Sequence, residues 1–252
     1  MDYIENSKKI LGMRVDDVSM DTAYTLIHNW SSYKKGRYIC VSNVHMCMEA
    51  FDDLEYQKQI NNADLVVPDG KPLALGLRLL GKLKAEQIRG ADLTRAVLRL
   101  ANENNLVVGF YGGTELALSN IKVLLAKDYP NIKLGCLISP PFRELSYAEE
   151  SRFIKNINSN SVQILFVGLG CPKQEKWMAV HRNDVNSVMI GVGAVFDFIS
   201  GTKMEAPIVL QKLGFEWLFR LIDEPKRLWK RYLMYNPRFV WNFAKQLLSS
   251  RA

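Results

Sequence analysis

A carboxylate in a strand-end turn is the first residue in this sequence that could do chemistry. Asp69 follows the apolar segment DLVV within Val-Val-Pro-Asp-Gly, where a strand would end in a turn. A carboxylate held at such a place can face a crevice and act as a general base. Asp is also a common turn residue and can cap a following helix. The local sequence leaves both interpretations open.

Two glycine-rich segments follow apolar runs and are typical of ligand-binding turns. Gly168 begins GLGCPKQEKW after VQILFV, and Gly191 begins GVGAVFDF after SVMI. Glycine lets a backbone approach a ligand closely, and the N-terminus of the next helix favours anions. The first segment lacks the third glycine of the dinucleotide fingerprint and the Gly-Lys-Ser/Thr of a P-loop. A purely structural strand–turn–helix is the alternative. The candidate binding residues are Gly112, Gly113, Gly168, Gly170, Pro172, Gln174, Gly191, Gly193, Phe196 and Asp197.

Asp197 is a second carboxylate that follows a predicted strand. It stands between two aromatic residues in Val-Phe-Asp-Phe. A carboxylate in such apolar company is either a ligand for a substrate hydroxyl or a buried, hydrogen-bonded core residue. The sequence favours neither.

The sequence contains no pattern typical of a metal or redox site. The three histidines are His28, His45 and His181, and they show no metal-ligand spacing. The four cysteines form no C-x-x-C pair, and no Asp-x-Asp pair stands at a strand end. We therefore expect free thiols in a reducing compartment and an activity that needs no metal or other cofactor.

Apolar strand-like segments alternate with helix-like segments along the chain. Strands are predicted at 37–42, 64–67, 106–111, 132–138, 162–167 and 188–192, and helices at 45–61, 71–80, 92–104, 115–128, 147–158 and 172–181. This alternation predicts an α/β, Rossmann-like fold with a mostly parallel sheet and helices on both faces. Ligands bind at the carboxyl ends of such strands. Several candidates fall there, namely Asn43, Asp69, Gly112, Gly168 and Gly191.

The last part of the chain differs in charge from the rest. Residues 226–252 contain seven Lys or Arg and no Asp or Glu, which equals the formal net charge of +7. We predict a catalytic core at 1–203 and a helical, membrane-associating appendage at 204–252. From the acidic start of the sequence and the absence of a run of about 20 apolar residues, we expect no N-terminal signal peptide and no segment that spans a bilayer.

Aromatic residues recur at helical spacing in this basic segment. They are Trp229, Tyr232, Tyr235, Phe239 and Phe243. Such spacing predicts one apolar stripe flanked by cations, which favours a helix lying on an anionic membrane. Packing of the stripe on the core and binding of nucleic acid are the alternatives.

Several motifs carry a resemblance to a known family. They are NVHMCMEA, ADLVVPDGKP, FVGLGCPKQEKW, IGVGAVFDFISGTKMEAP and GFEWLFRL-x-x-EPKRLWKRY. With them the sequence resembles the WecG/TagA/CpsF glycosyltransferases (glycosyltransferase family 26) from about residue 10 to residue 239. The resemblance implies inverting transfer of an N-acetylmannosamine-type or related hexose from a UDP-sugar to a polyprenyl-diphosphate-linked sugar. It also implies a peripheral enzyme at the cytoplasmic face of the cell membrane, in teichoic acid or surface polysaccharide synthesis.

The resemblance also assigns roles to individual residues. Asp69 resembles the catalytic base and Asn43 a polar residue beside it, whereas Gln174 and Asp197 resemble substrate-pocket residues. Arg220 and Arg227 resemble appendage arginines at the diphosphate. Without a metal, a leaving diphosphate must be stabilised by helix N-termini, main-chain N–H groups and arginine.

Other functions remain open on the sequence. A nucleotide-dependent oxidoreductase would use the same kind of fold, although its fingerprint is broken. A non-catalytic membrane or RNA-binding module would depend on the basic segment alone. The expected partners are the UDP-sugar, the lipid-linked acceptor and an anionic membrane surface, with no nucleic acid; a homo-oligomer is left open.

Overall fold

The structure, a computed structural model, describes residues 6–249. Its strands are β1 (Ser7–Ile10), β2 (Met13–Asp16), β3 (Arg37–Ser42), β4 (Leu65–Pro68), β5 (Val107–Gly112), β6 (Lys133–Ile138), β7 (Ile164–Gly168) and β8 (Val188–Gly191). The strands β3 to β8 form one six-stranded sheet in the order β4-β3-β8-β7-β5-β6, and every neighbouring pair is parallel. The sheet confirms the predicted α/β, Rossmann-like fold.

Twelve α-helices are present among the described residues. They are α1 (Met20–Ser31), α2 (Val44–Asp52), α3 (Leu54–Asn61), α4 (Lys71–Leu79), α5 (Gly90–Glu103), α6 (Glu115–Asp128), α7 (Tyr147–Ser159), α8 (Lys173–Val180), α9 (Val195–Ile199), α10 (Ile208–Leu213), α11 (Glu216–Asp223) and α12 (Pro225–Ser249). One hydrophobic cluster joins α2, α3, α4, α8 and α12 to one face of the sheet, and a second joins α1, α5, α6 and α9 to the other. Because both faces are covered, the strands are near-continuous apolar runs.

All six predicted strands are confirmed, with ends that differ by at most two residues. The β1–β2 hairpin and α1 were not predicted. The predicted helix 45–61 is two helices, because Asp53 leaves the helical conformation between them. Its side chain accepts hydrogen bonds from the N–H groups of Glu55 and Tyr56, both at 3.0 Å, and so caps α3.

The predicted helical appendage begins with two short helices. Residues 208–222 form α10 and α11, separated at Gly214, whose φ of +84° ends α10 in a left-handed cap. The last helix, α12, runs without interruption over 25 residues and starts with a proline at its first position. Arg251 and the first five residues, on which the signal-peptide prediction partly depended, lie outside the described residues.

Apart from Trp229, the aromatic stripe of α12 packs against the rest of the protein, so its predicted membrane-facing orientation is wrong for those four residues. Phe239 and Phe243 are buried and stacked at 5.7 Å, and the Tyr235 hydroxyl donates to the Glu49 carboxylate at 2.6 Å. Tyr232 packs against Trp217 at 5.6 Å. A helix with one aromatic stripe packs it against an apolar surface of the protein, and here that surface includes α2 and Gly76 of α4.

Other apolar side chains of the appendage are exposed, together with Trp229 of the stripe. On α12 these are Trp229, Leu233, Met234, Val240, Trp241 and Leu248, and on α10 and α11 they are Ile208, Val209, Leu213, Leu218 and Ile222. None of the helices between residues 6 and 249 is both long and apolar enough to cross a bilayer.

Candidate active site

A crevice lies at the carboxyl ends of β4, β3 and β8, between the core and helices α11 and α12. It has two lobes, which share Asn43, Asp69, Glu216, Arg220 and Arg231. The outer lobe continues towards His45, Lys71, Pro72, Gln87, Gln211, Gly214, Trp217, Tyr232, Tyr235 and Asn236. The inner lobe continues towards Arg89, Gly170, Cys171, Gln174, Gly191, Gly193, Phe198 and Arg227. The topology therefore brings residues from four distant parts of the chain to one place.

Asp69 lies where the two lobes meet. Its Oδ1 accepts a hydrogen bond from the Gly90 main-chain N–H at 2.7 Å, at the start of α5. The carboxylate therefore contacts a helix N-terminus, but of α5 rather than of the helix that follows it in sequence. Burial raises the pKa of Asp69 to about 6, and the Gly90 N–H partly opposes this effect. At neutral pH the group is an ionised carboxylate with increased affinity for a proton, as a general base requires.

Asn43 is held beside Asp69 by hydrogen bonds between the two strand-end turns. The main-chain N–H groups of Asp69 and Gly70 donate to the Ser42 carbonyl at 2.8 and 3.2 Å. The Asn43 Oδ1 accepts from the Met46 N–H at 3.2 Å and so caps α2. These contacts place the two residues side by side on adjacent strands.

The arginines around the crevice differ in their partners. Arg89 forms ion pairs with Asp92, Glu205 and Glu216 at 3.1 to 3.2 Å, so its charge is neutralised. Arg227 pairs with Glu224.

Arg220 and Arg231 have no carboxylate partner within ion-pair distance in the described part of the chain. Arg220 instead lies over the Phe198 ring at 5.5 Å. The Nε of Arg231 is buried without a hydrogen-bond partner between residues 6 and 249. Burial, with the nearby charges of Arg220 and Arg227, lowers the pKa of Arg231. Two cations are therefore available to an anionic ligand.

Arg231 is the main residue that the sequence analysis missed. It follows Arg227 by four residues, which places both on one side of α12. That spacing was a usable signal, but the basic segment contains several cations and their partners are not visible in the sequence. Only burial and the missing carboxylate distinguish Arg231 from its neighbours.

Gln174 lines the inner lobe together with three predicted glycines. Its Oε1 accepts from the Gly170 N–H at 3.2 Å, and its Nε2 donates to the buried Glu175 carboxylate at 2.6 Å. A side chain at Gly191 would meet the Gln174 amide at 3.2 Å, and one at Gly193 would meet it at 3.5 Å. These contacts determine the orientation of the Gln174 amide and the course of the glycine-rich loop.

Three of the predicted glycines, at the carboxyl ends of β5 and β7, are required by close packing. A Cβ on Gly112 would lie 2.5 Å from the Gly168 carbonyl, so β5 and β7 could not approach with any larger residue there. A Cβ on Gly113 or Gly168 would lie within 2.9 Å of the Phe196 ring. Phe196 itself is 1% exposed and belongs to the core, which corrects its predicted place in the substrate pocket.

Asp197 and Pro172 also lie outside the lining of the crevice. Lys203 Nζ lies 2.7 Å from the Asp197 carboxylate and 2.9 Å from that of Glu224, just before α12. Asp197 therefore links the core to the appendage through Lys203. Pro172 precedes α8 without lining either lobe.

A separate cavity of about 380 Å³ opens at the carboxyl ends of β5 and β7. We call it the Trp177 cavity. Trp177 and Tyr111 stack at 4.4 Å in its wall, and the Phe142 side chain is 90% exposed at its rim. Gly112, Gly113 and Gly168 line this cavity rather than the crevice. The loop 168–173 separates the two spaces, because its residues line both.

A buried carboxylate at the carboxyl edge of a parallel α/β sheet, in one crevice with two arginines that have no carboxylate partner among residues 6–249, is typical of an enzyme site for an anionic substrate. A family model described as the glycosyl transferase WecG/TagA/CpsF family matches residues 8–252. The chain belongs to this family and is a glycosyltransferase. Membership decides against the oxidoreductase and against the non-catalytic module.

Individual relatives match over nearly the whole chain. A protein of Staphylococcus aureus (strain NCTC 8325 / PS 47) is 29% identical over 94% of this chain and 91% of its own length. It is named N-acetylglucosaminyldiphosphoundecaprenol N-acetyl-beta-D-mannosaminyltransferase. A protein of Bacillus spizizenii (strain ATCC 23059 / NRRL B-14472 / W23) with the same name is 27% identical over 90% of this chain and 87% of its own.

Proposed function

We propose that this protein transfers an N-acetylmannosamine-type sugar from a UDP-sugar to N-acetylglucosamine linked through a diphosphate to a polyprenol. The names of the relatives support the transferred sugar and the acceptor. The observation that carries the proposal is the position of Asp69, with its raised pKa, in one crevice with Arg220 and Arg231. That arrangement suits a reaction that removes a proton at one point and releases an anion at another.

The chemistry follows from these positions. Asp69 accepts the proton of the acceptor hydroxyl as its oxygen attacks the anomeric carbon of the donor. The bond from that carbon to the diphosphate oxygen breaks, and its electron pair leaves with UDP. Attack from the face opposite the leaving group inverts the anomeric configuration. Arg220 and Arg231 stabilise the negative charge that develops on the departing diphosphate.

The two spaces along the sheet edge suit an extended donor. The diphosphate and sugar would occupy the inner lobe, between Asp69 and the two arginines. The nucleoside would lie in the Trp177 cavity, where aromatic rings offer a stacking surface for a planar base. The loop 168–173 borders both spaces, so it would lie beneath the bond that joins the nucleoside to the diphosphate.

The proposed reaction uses arginines where many transferases use a divalent metal. Within residues 6–249 no group of three or more His, Cys, Asp and Glu side chains is arranged to hold a metal ion. We propose that the transfer needs no metal ion. We also propose that the enzyme lies peripherally on the cytoplasmic face of the membrane. Transfer should survive excess EDTA, and loss of activity that Mg²⁺ or Mn²⁺ restores would contradict the role given to the arginines.

The direct test is a transfer assay with a set of UDP-sugars and a polyprenyl-diphosphate-N-acetylglucosamine acceptor. We expect UDP-N-acetylmannosamine to be the preferred donor and a disaccharide lipid to form. Anomeric analysis of the product by NMR should show inversion. Retention of configuration, or preference for another donor class, would overturn the corresponding part of the proposal.

A further inference from the structure

An exposed apolar surface lies on the core itself, outside the basic C-terminal segment. The side chains of Leu75, Leu79 and Leu83 are 56%, 47% and 82% exposed. Leu75 and Leu79 are one helical turn apart on α4, and the opposite side of this helix, with Leu73 and Leu77, is buried. Leu83 lies in the turn that follows α4. We call the three exposed residues the α4 leucine face.

Four cations lie in the same segment of the chain as this surface. The segment 71–85 contains Lys71, Arg78, Lys82 and Lys84 and no Asp or Glu. Three of these cations donate to neutral oxygens: Lys71 to the Lys212 carbonyl, Arg78 to the Ala85 carbonyl and Lys82 to the Asn6 amide oxygen. No carboxylate of residues 6–249 lies within ion-pair distance of any of the four. Their charges are therefore not neutralised by the protein.

The position of α4 connects this surface to the crevice and to the appendage. Lys71 and Pro72, at the start of α4, line the outer lobe. Gly214, between α10 and α11, packs on the Lys71 side chain, and Gly76 packs against Phe243 of α12. The helix thus runs away from the crevice between the two parts of the appendage.

We propose that the α4 leucine face is a lipid-binding surface that contacts an anionic bilayer together with the appendage. Exposed leucines beside unneutralised cations are the combination that an interfacial membrane contact requires. A second copy of this chain fits less well, because a two-fold contact would bring the same four cations together on both sides. The proposal rests on the proposed function only in that a lipid-linked acceptor requires the crevice to be near the membrane.

The test measures the vesicle co-sedimentation of two full-length variants, one with three substitutions and one with two. One is Leu75→Ser/Leu79→Ser/Leu83→Ser. The control is Leu116→Ser/Val123→Ser on α6, whose side chains are 65% and 67% exposed. On vesicles of phosphatidylglycerol and phosphatidylcholine, the first should bind roughly tenfold more weakly than the native chain, and the control should bind normally. Equal binding by all three proteins would overturn the proposal.

Charge and self-association provide the second arm. Lys82→Gln/Lys84→Gln should weaken binding to the mixed vesicles and leave the weak binding to pure phosphatidylcholine unchanged. Sedimentation velocity without lipid should give the same mass for the native and leucine-substituted chains. A dimer that the leucine substitutions dissociate, with unchanged vesicle binding, would show a protein contact instead and refute the proposal. Vesicle binding needs no turnover, so failure of the transfer assay would leave this result readable.

Discussion

The core and the appendage contribute opposite charges to the same crevice. The core supplies the Asp69 carboxylate, which accepts a hydrogen bond from the Gly90 N–H and is costly to ionise because it is buried. The appendage supplies Arg220 and Arg231, two cations without carboxylate partners among residues 6–249. Neither part alone contains both the carboxylate and the two arginines. The complete crevice therefore depends on how the two parts dock.

The docking surface has an ionic half and an apolar half. Near the crevice, Arg89 pairs with Glu205 and Glu216, and Lys203 pairs with Glu224. Farther along α12, the contacts are made by the buried rings of Phe239 and Phe243. Burial of large apolar side chains contributes about 1.5–3 kcal/mol each, whereas exposed ion pairs contribute about 0.2–1 kcal/mol. The apolar half therefore holds α12 in place, and the ionic half orients the charges at the crevice.

Asp69→Asn tests the contribution of the core to the crevice, because it removes the carboxylate. We expect turnover to fall roughly 10²–10⁴-fold, because the amide cannot accept the acceptor proton, while donor binding persists. Asp128→Asn, on the exposed end of α6, is the matched control and should have native turnover. Single-turnover kinetics and donor titration separate the two quantities, and near-native turnover of Asp69→Asn would remove Asp69 from the mechanism.

The same variant has a second expected property. The pKa of Asp69 in the folded protein is raised above its value in the unfolded chain, so the folded state binds the proton more tightly. Ionisation between pH 3.8 and about 6 therefore lowers the free energy of unfolding. Asp69→Asn should be at least as stable as the native protein at pH 7 in urea denaturation, which would separate lost chemistry from lost folding.

Arg231→Ala tests the part that belongs to the appendage. A hydrogen bond to a charged group contributes about 1.5–3 kcal/mol, so kcat/KM should fall roughly 10- to 100-fold. Arg220→Ala should act similarly. Arg238→Ala is the matched control on the same helix, because Arg238 pairs with Asp52 at 2.6 Å away from the crevice. Equal activity of the Arg231 and Arg238 variants would show that Arg231 is not an anion ligand.

The pH dependence of the native enzyme gives a smaller but specific effect. Because Asp69 must be ionised to act, kcat/KM should fall about tenfold for each pH unit below about 6. His45 has a pKa lowered to about 3 by burial and stays neutral in this range. Glu175, whose pKa burial raises to about 7, is the competing explanation. In Glu175→Gln the fall in kcat/KM below about pH 6 should remain. If that fall disappears, the titrating group is Glu175.

Lys203→Met should have the smallest effect. It removes the link between Asp197 and Glu224 but leaves the apolar contacts of α12 intact. We expect turnover to fall only a few-fold, since partly exposed ion pairs contribute about 0.2–1 kcal/mol. Fluorescence-monitored unfolding should show a similarly small loss of stability. A loss of activity as large as that of Arg231→Ala would mean that the ionic half, and not the apolar half, holds the appendage.

The sequence predicted the sheet and the edge at which the site lies, but it distinguished poorly between residues with similar local surroundings. Asp69 and Asp197 are both carboxylates that follow predicted strands, yet one lines the crevice and the other pairs with Lys203. Gly170 and Gly168 stand in one motif, yet the first lines the inner lobe and the second packs on Phe196. Their roles depend on neighbours that are far away in the chain.

Local sequence by itself determined the elements, because apolar periodicity, turn residues and caps act over a few neighbouring residues. It therefore placed Asn43, Asp69 and the glycine-rich loops at strand ends, and it identified the family by its motifs. Only the tertiary structure decided which side of α12 is buried, which arginines lack a carboxylate, and that Asp69 contacts the start of α5. Burial and charge pairing are properties of three-dimensional neighbours, and they control both the pKa of a base and the availability of a cation.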